Sequence, residues 1–321
     1  MTVIQHHKTI SIALCLCNPS EDFLQKQLES IENQTIQPTE IIVGDDSENE
    51  IGLTVIRAWS DKTRIPCKII QNKIRLGISQ NYSHVLSQTV GDYIFLCDQD
   101  DVWFPAKIEE SLRHIMENED GGSIPVLFHT DLELIDGHGS VTGSSFMDKQ
   151  RIRGGDQNQL GLLMLHNNVT GCSAALNRSL LEQVLPIPQE AVVHDWWIAL
   201  NAAITGKTVF GNTPLIQYRI HGENAIGLRP LLSKDNISRF LQPNHVGREF
   251  AKVVTQNYAI HDRYKNKLNE ETINFMKQLQ IGGFPLLRAA KLANVRPQAW
   301  SRGIRFNIAA LTKTYMRFLS M

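Results

Sequence analysis

Three carboxylates fall within four residues at Asp98, Asp100 and Asp101, directly after the apolar run Asp92–Cys97. Like charges this close repel one another, and the arrangement becomes favourable when a divalent cation sits among them. Mg²⁺ and Mn²⁺ take carboxylate oxygens and often share their shell with a substrate's phosphates, so the spacing points to metal-assisted handling of a phosphorylated substrate. Two further polar clusters follow strand-like runs: Asn18 after Thr9–Cys17, and Asp45-Asp46-Ser47 after Glu40–Val43. An Asp in such a place also serves as the N-cap of the next helix, so Asp45 and Asp46 admit both readings. Neither GxxxxGK[ST] nor GxGxxG follows any strand-like run. A diphosphate would therefore be held through its metal rather than by a glycine loop.

The elements that must position these residues alternate. Thr9–Cys17, Glu40–Val43, Cys67–Gln71 and Asp92–Cys97 read as strands; Glu21–Asn33, Ile51–Trp59, Ser79–Gln88 and Pro105–Met116 read as helices. Strand–helix alternation with short connections predicts right-handed βαβ units and a mostly parallel α/β sheet with helices on both faces. In such a sheet ligands bind at the carboxyl ends of the strands, where all three polar clusters lie. Beyond residue 125 the rhythm loosens. Val126–Ile135, Thr170–Leu176, Thr208–Phe210 and Leu215–Ile220 read as strands, residues 148–156 as a polar loop, and His194–Thr205 as a helix containing two tryptophans. Helical patterns take over after Gly222.

Composition is ordinarily globular, with 42 % apolar and 20 % charged residues among 321. It excludes a disordered chain, a collagen and a coiled-coil rod. The net charge of −1 is a cancellation: residues 1–228 carry 16 basic and 28 acidic side chains, and residues 229–321 carry 16 and 5. The division suggests two units, 1–228 and 229–321, the second drawn to an anionic partner. Five cysteines without a CxxC pair (Cys15, Cys17, Cys67, Cys97 and Cys172) are expected to be reduced and buried. No run approaches the ~20 apolar residues of a membrane span and no signal peptide is evident, which predicts a cytoplasmic protein, soluble or peripheral on the inner membrane.

The succession SIALCLCN, EIIVGDDS, NKIRLGISQN, FLCDQDDVW, NVTGCSAALNRSLLE, HDWW and YRIHGENAIG resembles the family 2 inverting glycosyltransferases of the GT-A fold, rhamnosyltransferase-type bacterial members above all. The likeness covers roughly residues 9–227. It implies that Asp46 meets the nucleotide base, with Asn18 and Asp45 in the same pocket and Arg75 beside the base or diphosphate. Asp98 would contact ribose or sugar, while Asp100 would ligate Mg²⁺ or Mn²⁺, which neutralises the leaving diphosphate. His221 would join it as a ligand. Asp101 would be a spare carboxylate behind them. The resemblance makes Asp195 the general base for the acceptor hydroxyl. Its place at a helix start, near arginines, predicts a carboxyl held low and already ionised. His194 stands where many relatives carry Glu. Trp196 and Trp197 would stack on an acceptor sugar or belong to the core, and the small turn at Gly171 would admit a sugar ring. Implied partners are a dTDP- or UDP-linked sugar and a glycan or glycolipid acceptor of a growing, lipid-linked polysaccharide.

DQDDV also satisfies DxDx[TV], a pattern of phosphatases with an aspartyl nucleophile. That motif normally closes the first strand of its domain, whereas three strand–helix units precede it here. A non-catalytic carbohydrate-binding protein would not need the acidic triad. In the basic tail, Ile304, Ile308, Leu311, Tyr315, Phe318 and Leu319 make a helical stripe with Arg302, Arg305, Lys313 and Arg317 mostly off it. Such a helix would lie on an anionic membrane surface, pack on the catalytic unit or form a homodimer. No recognised motif supports nucleic acid as the partner.

Overall fold

The computed structural model describes residues 8–155, 159–221 and 242–319. The first four strands are β1 (Ile10–Leu16), β2 (Glu40–Asp45), β3 (Cys67–Gln71) and β4 (Tyr93–Cys97), joined by helices α1 (Glu21–Glu32), α2 (Ile51–Ser60) and α3 (Ile78–Leu86). β4 is buried throughout and β1 almost so. This is why both read as unbroken apolar runs: a parallel strand is covered on two faces. Next come β5 (Val102–Trp103), α4 (Lys107–Met116), β6 (Val126–Thr130), β7 (Glu133–Ile135), β8 (Val141–Gly143), α5 (Phe146–Gln150) and α6 (Gln159–Leu163). They are followed by β9 (Ala175–Asn177), α7 (Arg178–Val184), α8 (His194–Thr205), β10 (Lys207–Gly211) and β11 (Ile216–Arg219).

Seven strands form the central sheet in the order β10-β6-β9-β4-β1-β2-β3. All pairings are parallel except those of β9, which runs antiparallel to both β4 and β6. A second sheet, β5-β11-β7-β8, flanks it. The expected mostly parallel α/β sheet, covered by helices, is what the chain forms.

Three sequence expectations need correction. Val126–Ile135 is not one strand, because β6 and β7 belong to different sheets. Asp131 turns the chain between them, its carboxylate accepting from the backbone N–H of Leu132 (2.7 Å) and Met147 (3.0 Å) and from the Ser145 hydroxyl. Thr170–Leu176 is a 3₁₀ turn at Gly171–Ser173 leading into the short β9. Part of the expected loop at 148–156 is α5, whose N-cap Ser145 accepts from the Asp148 N–H at 2.9 Å.

The C-terminal region holds α9 (Pro243–Tyr264), α10 (Glu270–Gln278), α11 (Gly283–Leu292) and α12 (Trp300–Thr312). The stretch Trp300–Met321 is not a single helix. α12 stops at Lys313, which adopts φ 55°, and a 3₁₀ turn follows over Thr314–Phe318. Nor does the expected stripe form one face: Tyr315 is fully buried with its hydroxyl on Leu279 O (2.6 Å), while Ile304 and Leu311 face outward. The buried side of α12 is Phe306, Ala309 and Ala310. One apolar cluster runs from Trp197 in α8 through Val254 and Ile260 in α9 to Phe275, Leu286 and Tyr315, so the helical region packs on the α/β region. Asn257 Nδ2 donates to Met164 O at 2.9 Å and the Val192 N–H donates to Gln256 Oε1 at 2.9 Å across that seam. The 228/229 division lies outside the described residues. Among those described, no helix is long and apolar enough to cross a membrane. All five cysteines are free, with Cys97 and Cys172 buried and the others partly so.

Candidate active site

A cleft of about 480 Å³ opens at the carboxyl ends of β1, β2 and β4, where a parallel sheet leaves room for a ligand. Its walls are completed by α3, the turn at Thr170-Gly171, the start of α8 and Tyr218 of β11. Asp46, Arg75, Asp98, Asp100, Gly171 and Asp195 all line it.

Asp46 is buried and works on the chain opposite. Its two oxygens accept from the backbone N–H groups of Leu76 and Gly77, each at 2.7 Å, and Asn72 Nδ2 lies 3.2 Å away. The carboxylate thus clamps the loop that carries Arg75. Arg75 is more than half exposed, pairing with Glu48 at 3.2 Å and donating to Cys17 Sγ at 3.3 Å. Asn18 and Asp45 do not line the cleft. Asn18, at φ 47°, accepts from the Glu48 N–H (2.9 Å), and buried Asp45 accepts from the Ser47 N–H (3.1 Å); both shape the loop after β2. Gln99 makes a two-way bridge to the Cys17 backbone at 2.7 and 3.1 Å, tying the ends of β1 and β4 together.

The acidic triad divides into three environments. Asp98 accepts from the Tyr82 hydroxyl at 2.8 Å, and burial, reinforced by the Asp100 charge, pushes its carboxyl up to about 6. Asp100 stands at the cleft with an oxygen 2.7 Å from His221 Nε2, both side chains less than one-fifth exposed. Asp101 is fully buried behind them, accepts from the Arg219 N–H at 3.0 Å, and is held well above the usual carboxylate range by burial and by its two neighbours. Asp98, Asp101 and Cys172 bring three ligand atoms within 4.8 Å of one another. Lys107 lies under this group, completely buried and donating to Cys172 O at 3.1 Å. Burial draws its ammonium down to about 8 against the opposing pull of Asp101 and Asp98. Sequence reasoning missed Lys107, although a signal existed: a cation opens α4 at the end where the helix dipole disfavours one.

Asp195 faces the triad from the first turn of α8. Its Oδ1 accepts from Asn167 Nδ2 (2.9 Å) and from the Trp196 N–H (2.6 Å), and its Oδ2 from the Gly171 N–H (2.9 Å). The expectation of a depressed carboxyl is wrong. Burial outweighs the three donors and, with Asp98 adding repulsion, lifts it to about 7. His194 stacks on Tyr82 (centroids 3.8 Å apart), and burial drives its imidazole down to about 3, so it stays neutral. Trp196 and Trp197 are corrected as acceptor residues: both are buried, their indole N–H groups donating to Leu163 O and Val184 O. The glycine at 171 is required by proximity, since a Cβ there would come within 2.9 Å of His194 Nε2. Of YRIHGENAIG, the part after His221 lies outside the described residues.

The strand ends of the parallel sheet thus carry a ligand-sized cleft with carboxylates on both sides of it. The chain belongs to glycosyl transferase family 2, whose profile matches residues 11–185. An uncharacterized glycosyltransferase of Haemophilus influenzae is 23 % identical over 281 residues, covering 85 % of this chain and 80 % of that protein. The chain is matched to 38 % and 44 % of the length of two other curated relatives, from Bacillus subtilis and Methanocaldococcus jannaschii. Among solved structures, S. aureus TarS 1-349 in complex with UDP-GlcNAc superposes with a TM-score of 0.52 (13 % identity, 97 % of this chain, 90 % of that one). The mannosyltransferase PcManGT from Pyrobaculum calidifontis, in complex with GDP-Man and Mn²⁺, gives 0.54 (14 % identity, 99 % and 84 %).

Proposed function

We propose that the protein transfers a hexosyl group from a nucleoside diphosphate sugar to a hydroxyl of a growing, lipid-linked cell-surface polysaccharide, inverting the anomeric carbon, with Asp195 as base. The observation that carries this reading is the Asp195 carboxyl: oriented by three N–H donors, lifted to about 7, and facing the Asp98–Asp101 carboxylates across one cleft. A base poised near neutrality is matched to removing a hydroxyl proton. In a single displacement the acceptor oxygen bonds to C1 as the C1–O bond to the diphosphate breaks. The leaving oxygen keeps the electron pair, and the hydroxyl proton passes to Asp195.

Asp100 and His221 suit a divalent cation, Mg²⁺ or Mn²⁺, because an imidazole nitrogen meets, at 2.7 Å, an oxygen of a carboxylate that lines the cleft. When bound, the ion would offset negative charge on the departing diphosphate. The Mn²⁺ in the complex of PcManGT supports a divalent ion here, and the UDP-GlcNAc complex of TarS supports a nucleotide-sugar donor. A uridine or thymidine diphosphate donor is the preferred class, with rhamnose or another hexose as the sugar. Asp46 would reach the base, and Arg75, on the loop Asp46 clamps, the base or diphosphate; Gly171 leaves space on the acceptor side.

The test is a donor screen on the purified chain, reading nucleotide-sugar hydrolysis and transfer with and without divalent metal. Asp195→Asn should keep donor affinity within a few-fold and lower transfer on the order of 10²–10⁴-fold. Wild-type transfer by Asp195→Asn would remove the base assignment. Phosphate release from sugar phosphates with no nucleotide requirement would replace the whole reading by a phosphatase.

A further inference from the structure

From Thr272 to Met321 the chain carries eight Lys and Arg residues and no Asp or Glu. The acid-free stretch includes α11, whose inner face (Leu286, Ala289, Ala290) is buried in the core. Its outer face repeats at helical spacing: Phe284 is 78 % exposed, Arg288 follows one turn on, and Leu292, one turn further, is 62 % exposed. Lys291 is exposed beside Leu292, and Ile281 is exposed in the turn before the helix. The Lys313 ammonium lies against the start of α11, 3.9 Å from where a Cβ on Gly283 would be. Large apolar groups and cations thus alternate on one exposed surface.

We propose that this surface, Ile281, Phe284 and Leu292 with Arg288, Lys291 and Lys313, seats the protein on an anionic phospholipid bilayer. The charge is complementary to acidic headgroups, and a bilayer interface accepts the intervening Phe and Leu side chains that a purely ionic partner would leave in water. The contact is moved from the helix expected at Trp300–Met321, whose Tyr315 and Phe306 are used internally, to the neighbouring α11. The proposal holds whichever sugar is transferred.

The experiment is co-sedimentation of the full chain with vesicles of phosphatidylcholine alone and of phosphatidylcholine with phosphatidylglycerol, alongside size-exclusion chromatography. Binding is expected only with phosphatidylglycerol and should weaken with salt. Arg288→Gln and Lys291→Gln should each lower affinity roughly fivefold. Phe284→Ser with Leu292→Ser should lower it about tenfold or more while leaving nucleotide-sugar hydrolysis unchanged, which also shows the fold is intact. No sedimentation, equal binding to neutral vesicles, or unchanged binding by the variants would each overturn the proposal. So would a wild-type dimer that Phe284→Ser/Leu292→Ser turns into a monomer, since a second copy would then cover the face. Vesicle binding by a protein that hydrolyses no nucleotide sugar would defeat the donor reading and leave this one standing.

Discussion

Asp195, the base in the proposed mechanism, is hydrogen-bonded into place by three donors and still has its carboxyl lifted by burial. Each N–H donor favours the carboxylate, but a group this deeply buried loses more from leaving water. With its carboxyl lifted to about 7, the ionised fraction falls as pH drops through that value. Transfer efficiency should therefore decline about tenfold per pH unit below roughly 7, and Asp195→Asn should abolish that limb. Asn167 stabilises the ionised form more than the neutral one through its 2.9 Å bond. Asn167→Ala should accordingly move the limb to higher pH, with donor KM little altered; an unmoved limb would show that the amide merely fills space. The carboxylates themselves were legible in the sequence because their spacing has few uses. What surrounds them was not: Tyr82 and Asn167 lie 16 and 28 residues from the carboxylates they bond, and only the fold brings them together. Tryptophans next to a base admit stacking or core roles, and tertiary burial decided for the core.

At the scale of elements, the first hundred residues were readable because β1 and β4 are near-continuous apolar runs and β2 and β3 have apolar centres, each five to seven residues long. β5, β7, β8 and β9 have only two or three residues, too few for a period to register, and their identity comes from pairing partners far along the chain. In the proposed mechanism the 3₁₀ turn before β9 has a direct part, because it sets the Gly171 N–H on Asp195. Gly171→Ala forces a methyl against the His194 ring, which is stacked and cannot swing away freely. A displacement of this kind next to the chemistry should reduce kcat roughly 10–100-fold. The folded state, followed by urea unfolding, should lose far less, about 1–3 kcal/mol.

The whole molecule has two regions of opposite charge, net −12 and +11, yet they do not behave as separate bodies. Arg263 illustrates the join: its guanidinium donates to Gln183 O, Val184 O and Pro186 O at 3.0 Å each and lies 4.8 Å over the Trp197 ring. Part of the positive excess thus satisfies carbonyls at the end of α7. A shared apolar cluster predicts that both regions melt together. Scanning calorimetry should give one transition whose calorimetric and van't Hoff enthalpies agree, whereas two resolved peaks would mean the helical region is an independent unit.

β9 runs against its neighbours and fills the gap between β4 and β6, although it is made roughly 80 residues after β4. Until β9 is made, β4 (YIFLC) has β1 available as a partner on one side and no strand for its other edge. At ~5–20 residues per second that edge waits on the order of 4–16 s for its partner. An unpaired apolar strand is a template for other chains. Synthesis is therefore an interval of exposure for this strand, and slower translation between residues 97 and 175 should lower the soluble yield without altering the finished fold.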